Sequence, residues 1–197
     1  MKSTRAYTMT ARAGSAAATR QRIIDTATSL FLERPFEDVT LAAIASAADV
    51  SHQTVLNHFA SKEGVALAVA DELGAETHRA RSAARPGDVD GAVGALVGEY
   101  ERFGDANARW AATAERLGSV AAALDVGRTS HRTWLVEMFG ATLPSSPKLR
   151  ERAVNALHAA TDVYTWKLLR RDLGLSRRET ERTIADTVGN ILEGVNR

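Results

Sequence analysis

The chain has 197 residues with 25 Lys and Arg against 24 Asp and Glu, a formal net charge of +1, so any hold on a polyanion must come from local clustering and not from its overall field. It has no cysteine, which excludes disulfides, thiolate metal sites and cysteine nucleophiles. No apolar run approaches the roughly 18 residues that a membrane span needs, and no apolar segment follows the basic N-terminal residues, so the expectation is a cytoplasmic protein with no membrane partner.

Residues 1–18 are rich in Ala, Ser, Thr and Gly without an apolar period and read as an unstructured arm. From Met1 to Ile24 the basic residues Lys2, Arg5, Arg12, Arg20 and Arg22 occur without an acid, as either a DNA-facing arm or a solvated tail would show. Helical spacing starts at Thr19: Ile23, Ile24, Ala27, Leu30 and Phe31 share one face, and Pro35 ends the helix. β-branched alternation is rare, and breakers at Pro86-Gly87, Gly104-Asp105, Pro144 to Pro147 and Gly174 divide the rest into helix-length pieces. The fold class is therefore all-α, with about nine helices near 19–33, 41–48, 51–58, 62–84, 88–103, 106–117, 119–142, 147–173 and 176–195. Residues 19–65 form an expected N-terminal domain and 66–197 a larger helical one, with Pro86-Gly87 in the hinge region.

Leu41 to Ala60, LAAIASAADVSHQTVLNHFA, reads as two short helices around a tight turn. Thr40 caps the first, and Ile44, Ala48, Val50 and Val55 face inward, while Ala45 is small enough for the second helix to cross close by. Asp49 stands at the turn, where the left-handed conformation is needed and Asp tolerates it. Ser51 caps the second helix, whose outer face offers His52, Gln53, Thr54, Asn57 and His58. Gln53 and Asn57 can each bond an adenine edge in bidentate fashion, and Thr40, Ser51 and Lys62 lie at helix N-termini, where N–H groups and the helix dipole favour phosphate. The plainer alternative is a helical hairpin whose polar residues are only solvated; against it stands a face with no acid from Val50 to Ser61.

Arg20 to Leu67 resembles the tetracycline-repressor (TetR) family of bacterial regulators. R-x-x-I-x-x-A-x-x-L-F is followed by F-x-x-V-T-x-x-x-I-A, the turn A-x-V-S and then H-F-x-S-K-E. The resemblance implies an all-helical homodimer whose N-terminal domains read a palindromic operator in double-stranded DNA, with a variable C-terminal domain that binds a small-molecule effector; the mechanism expected on that basis is repression by occlusion, with release by the effector. It makes Thr40 a phosphate contact, Gln53 and Thr54 base readers, His58 and Lys62 backbone clamps and Asn57 a further contact. Leu56 departs from the family's usual aromatic, and Arg34-Pro35 from its usual glycine before Phe36. The helix from Lys62 to Ala84, which joins the domains, is the expected lever.

In the C-terminal half, Leu149, Ala153, Leu157, Ala160, Tyr164 and Leu168 form one apolar stripe, and Ile184, Val188, Ile191 and Val195 another. The resemblance turns these into a four-helix bundle across a two-fold axis, with Leu157, Tyr164, Leu168, Ile184, Val188 and Ile191 at the dimer interface; the alternative is that both stripes face the chain's own core. Tyr100, Phe103, Trp110, Trp134, Met138 and Trp166 are large enough to line an effector cavity, with His131 and His158 as polar contacts, although each also suits a plain core. The histidines show no metal-ligand spacing, no nucleophile motif surrounds Ser, His or Asp, and Gly87, Gly91, Gly94 and Gly98 lack the strand that a phosphate loop requires. Catalysis, a metal and a cofactor are therefore not expected.

Overall fold

The computed structural model describes residues 4–114 and 118–194, with side chains from Gly14 onward except at 114, 118–120, 122 and 123. All regular structure among the described residues is helical: α1 (Thr4–Glu33), α2 (Leu41–Ala47), α3 (His52–Phe59), α4 (Lys62–Arg81), α5 (Val89–Ala114), α6 (Gly118–Phe139), α7 (Pro147–Thr161), α8 (Val163–Lys167) and α9 (Arg177–Gly194). A 3-10 turn, Phe36–Asp38, precedes α2, and a π turn, Leu168–Asp172, follows α8. The chain forms two compact units, Met1–Glu72 and Leu73–Arg197, with the boundary inside α4. None of the described helices is long and apolar enough to cross a membrane.

Three elements differ from the expected map. First, α1 begins at Thr4, so the segment read as an unstructured arm is helical from that residue on. Ala6, Ala11, Ala13, Ala16, Ala17 and Ala18 favour helix, no proline intervenes before Pro35, and Gly14 to Ala18 are exposed. The stretch from Gly14 to Ala18 buries no face and so shows no apolar period, which is the signal periodicity needs. Second, α5 runs unbroken through Gly104-Asp105. Gly104 is there for packing: a Cβ on it would collide with the Trp166 ring. Third, the helix expected over 147–173 breaks at Asp162, whose backbone is extended (φ −71°, ψ 152°) and whose carboxylate accepts from Tyr164 N–H at 2.8 Å. A short acidic side chain competes here with the helical hydrogen bond and restarts the helix as α8.

The first unit buries Ile23, Ile24, Ala27 and Phe31 of α1 together with Phe36, Val39, Ile44, Val55, Val65 and Val69. Phe31 and Phe36 stack with centroids 5.7 Å apart. In the second unit α5, α6, α7, α8 and α9 enclose Leu96, Leu135, Phe139, Leu157, Trp166, Ile184 and Val188; burying each such side chain contributes about 1.5–3 kcal/mol. Trp166 is the largest and is completely enclosed, its indole N–H donating to Glu101 at 3.1 Å. Arg170, carried on the π turn, grips the same carboxylate through two nitrogens at 2.7 and 3.0 Å. That hydrogen-bonded guanidinium, with help from the indole, holds Glu101 below the usual carboxylate range.

Candidate nucleic-acid interface

Local chemistry builds the turn between α2 and α3 as expected. Thr40 Oγ1 accepts from Ala43 N–H at 3.1 Å and Ser51 Oγ accepts from Thr54 N–H at 3.0 Å, so each helix has a side-chain cap on an N–H that would otherwise lack a partner. Asp49 has φ 51°, the left-handed conformation the turn requires. Ile44, Ala45, Ala48 and Val55 are buried, and Val50 is half-buried. Arg22 Nε donates to the Ala48 carbonyl at 3.0 Å, tying α1 to the C-terminal end of α2, while the Arg20 guanidinium lies 5.0 Å from the Phe59 ring centroid. Two of the five basic residues of the N-terminal segment are thus part of the unit's packing.

The solvent face of α3 carries His52, Gln53 and Asn57 exposed, with Thr54, Leu56 and His58 half-buried. Gln53 Nε2 donates to Asn57 Oδ1 at 2.9 Å, one turn along the helix. That bond uses one Gln53 N–H and the Asn57 carbonyl, so on this exposed face the Gln53 carbonyl remains as an acceptor and the Asn57 amide as a donor. Ser51 Oγ and Thr54 Oγ1 lie 2.8 Å apart and order the first turn.

Lys62 is placed differently from a free clamp. Its ammonium donates to the Phe36 carbonyl at 2.8 Å and sits 4.2 Å from the centroid of the Phe36 ring. The residue therefore pins the 3-10 turn that leads into Thr40, with its other N–H groups left for a further acceptor. Sequence reasoning missed this link, because no local pattern joins residues 26 apart.

The connection from α3 to α4 is tight. Ala60 has φ 63° and ψ −37°, and Ser61 N–H reaches back to the Phe59 carbonyl at 2.7 Å, a γ-turn of the rarer, strained hand. Ala60 is exposed, so its methyl gives no packing in return. Ala60→Gly is expected to raise the unfolding free energy by about 1 kcal/mol, since glycine adopts positive φ without penalty; chemical denaturation of the two proteins measures it.

In the second unit the aromatic residues expected around an effector mostly fill the core. Tyr100, Trp134, Met138 and Trp166 belong to one buried cluster, and Phe103 and Trp110 are half-buried. Tyr100 Oη donates to the Thr161 carbonyl at 3.0 Å, and burial raises its ionisation well above the ordinary range. One groove, of about 540 Å³, runs between α4 and α6, lined by His78, Asp125, Val126, Thr129, Ser130, Thr133, Trp134 and Glu137. Of the expected cavity residues only Trp134 lines it, with His131 stacked on that ring at 5.6 Å.

The apolar stripes also divide. Leu157, Ile184 and Val188 are enclosed in the chain's own core and offer no surface to a second copy, a correction to their expected place at an interface. Tyr164 and Leu168 stay exposed at 47% and 49%, Ile191 packs half-buried on the core, and Val195 lies outside the described residues. The stripes looked alike because an apolar face has the same spacing whichever surface it meets.

Two capped helices joined by a tight left-handed turn, the second presenting an acid-free polar face, make a helix-turn-helix of the kind that docks in a DNA major groove. Residues 23–69 match the model for bacterial regulatory proteins of the tetR family. The first unit therefore carries a DNA-binding domain of the tetR-family transcriptional regulators. No curated protein matches the sequence. Among solved structures, a tetR-family transcriptional regulator from Streptomyces coelicolor is 18% identical with a TM-score of 0.73, over 91% of this chain and 89% of that one. Salmonella enterica GusR is 24% identical with a TM-score of 0.69, over 90% and 95%. A transcriptional regulator from Rhodococcus is 20% identical with a TM-score of 0.66, over 89% and 96%. At these identities the likeness is one of fold, and it extends across both units.

Proposed function

We propose that the protein is a ligand-responsive repressor that binds a palindromic operator as a homodimer and is released by a small molecule. The observation that carries the reading is the Gln53–Asn57 pair, ordered at 2.9 Å on an exposed helix face between two caps. In the complex Gln53, Thr54 and Asn57 meet base edges, with His52 beside them, while Thr40, Ser51, His58 and Lys62 meet phosphates. Two such helices about 34–36 Å apart fit successive major grooves. Of the residues expected at an interface, Tyr164, Leu168 and Ile191 are those left for a second copy, and the groove beside Trp134 is the place for an effector.

A mobility shift with the DNA upstream of the protein's own gene tests this. A retarded band is expected at low salt, and its absence across all low-salt conditions overturns the reading. Gln53→Ala is expected to weaken binding by about 1–3 kcal/mol, mainly at one base position. Lys62→Ala should weaken binding to every sequence alike and lower the salt slope by about one. Because Lys62 also holds the Phe36 carbonyl, Lys62→Ala should lower thermal stability as well, which Gln53→Ala should not.

A further inference from the structure

We propose that Arg81 is the positioning residue through which the second unit governs α4, an inference that rests on the regulator reading above. Arg81 is the last residue of α4, and its side chain is buried together with that of Glu99 on α5. Its Nε donates to Glu99 Oε2 at 2.7 Å, its Nη1 lies 2.8 Å from His131 Nδ1, and its guanidinium sits 4.8 Å from the Trp134 ring centroid.

The direction of every bond in this cluster follows from that arginine. A guanidinium only donates, so His131 Nδ1 accepts and the ring proton is on Nε2. Nε2 then donates to Thr161 Oγ1 at 2.8 Å, and the Thr161 hydroxyl donates to the Leu157 carbonyl at 2.7 Å. One side chain at the end of α4 is thereby fastened to α5, α6 and, through His131, α7. A buried ion pair adds little stability over apolar residues of the same shape, but it accepts only one geometry. The consequence is a last turn of α4 with a single permitted position for its guanidinium.

The other end of α4 begins at Lys62, whose ammonium holds the Phe36 carbonyl ahead of Thr40. α4 therefore carries a directed cationic anchor on its first residue and another on its last. Near Arg81, Trp134 is at once a wall of the groove and the ring that carries the guanidinium. A molecule settling beside His78, Thr129 and Thr133 meets that ring, so occupation of the groove changes the hold on the last turn of α4. Coupling of this kind is reciprocal, so DNA bound through α3 must also alter the surroundings of Trp134.

The test uses the full chain and a duplex enriched from a random-sequence pool, with hydrogen exchange followed at residues 129–137. In the parent protein the duplex is expected to change exchange there by about fivefold or more. In Arg81→Met/Glu99→Leu, where apolar groups of similar size replace the pair, the duplex should still bind and the change should vanish. Arg81→Lys, which keeps the charge but cannot reach both Glu99 and His131, should shrink the change, and it decides the matter if the double variant does not fold. An undiminished response in these variants overturns the role of Arg81, as does a parent protein that binds the duplex tightly with no change at 129–137. Failure to enrich any bound duplex overturns the regulator reading itself, and the role of Arg81 with it.

Discussion

Gly64→Ala is expected to destabilise the first unit by about 3 kcal/mol and to remove DNA binding at temperatures where the parent protein is still folded. A Cβ on Gly64 would meet the Phe59 carbonyl oxygen and carbon, which are backbone atoms and not the movable end of a side chain. The oxygen cannot swing aside freely, because Ser61 N–H holds it at 2.7 Å and Ala60 between them is already strained. Gly64 N–H is in turn bonded to Ser61 Oγ at 3.1 Å, so the first turn of α4 cannot slide away without losing its cap. Alanine would gain roughly 1 kcal/mol in helix propensity at this position, too little to offset the collision. The same few residues set how α3 leaves the turn, so the displaced helix would carry Gln53 and Asn57 with it. Denaturation of Gly64→Ala beside Ala60→Gly should show opposite signs, and a Gly64→Ala protein as stable as its parent would contradict the packing described for this turn.

What the sequence made legible here is what short-range chemistry decides. Thr40, Asp49 and Ser51 act within three residues of their own positions, through a cap, a positive φ and a second cap, so their roles could be read from residue type and spacing. The resemblance of Arg20 to Leu67 to a known family placed those roles on DNA. Long-range packing was not legible. Gly104 looked like a breaker because only the folded chain brings Trp166 against it, and Lys62 looked free because Phe36 is far from it in sequence. Leu157, Ile184 and Val188 repeat at the spacing of any apolar face, and the surface that covers them is fixed by tertiary contacts. Tyr100, Trp134, Met138 and Trp166 fill the core, and the groove that does form is lined largely by Thr, Ser, His and acidic residues that no apolar pattern marks.

His131 should make the second unit acid-labile. Burial, followed by the positive charge of Arg81 and the neighbouring His158, pushes its ionisation down to about 3 from the ordinary 6.5, with Asp162 opposing more weakly. The folded protein therefore keeps a neutral imidazole, as its acceptance of the Arg81 N–H requires, while the unfolded chain takes up a proton below pH 6.5. The stabilising contribution is complete above pH 6.5 and is lost as pH falls toward 3, at up to about 1.4 kcal/mol per pH unit. Carboxylates held below their usual range, such as Glu101, add to the loss mainly at lower pH, so the His131 contribution is read between pH 6.5 and 5. There the parent protein is expected to lose about 2 kcal/mol. His131→Gln can accept from Arg81 through its carbonyl and donate to Thr161 through its amide, so it keeps the network without the titration and should flatten the dependence. Urea denaturation of both proteins at pH 7, 6 and 5 measures the difference. Parallel curves would mean that His131 is not the buried neutral acceptor, and with it would go the single direction assigned to every bond between Arg81 and Leu157.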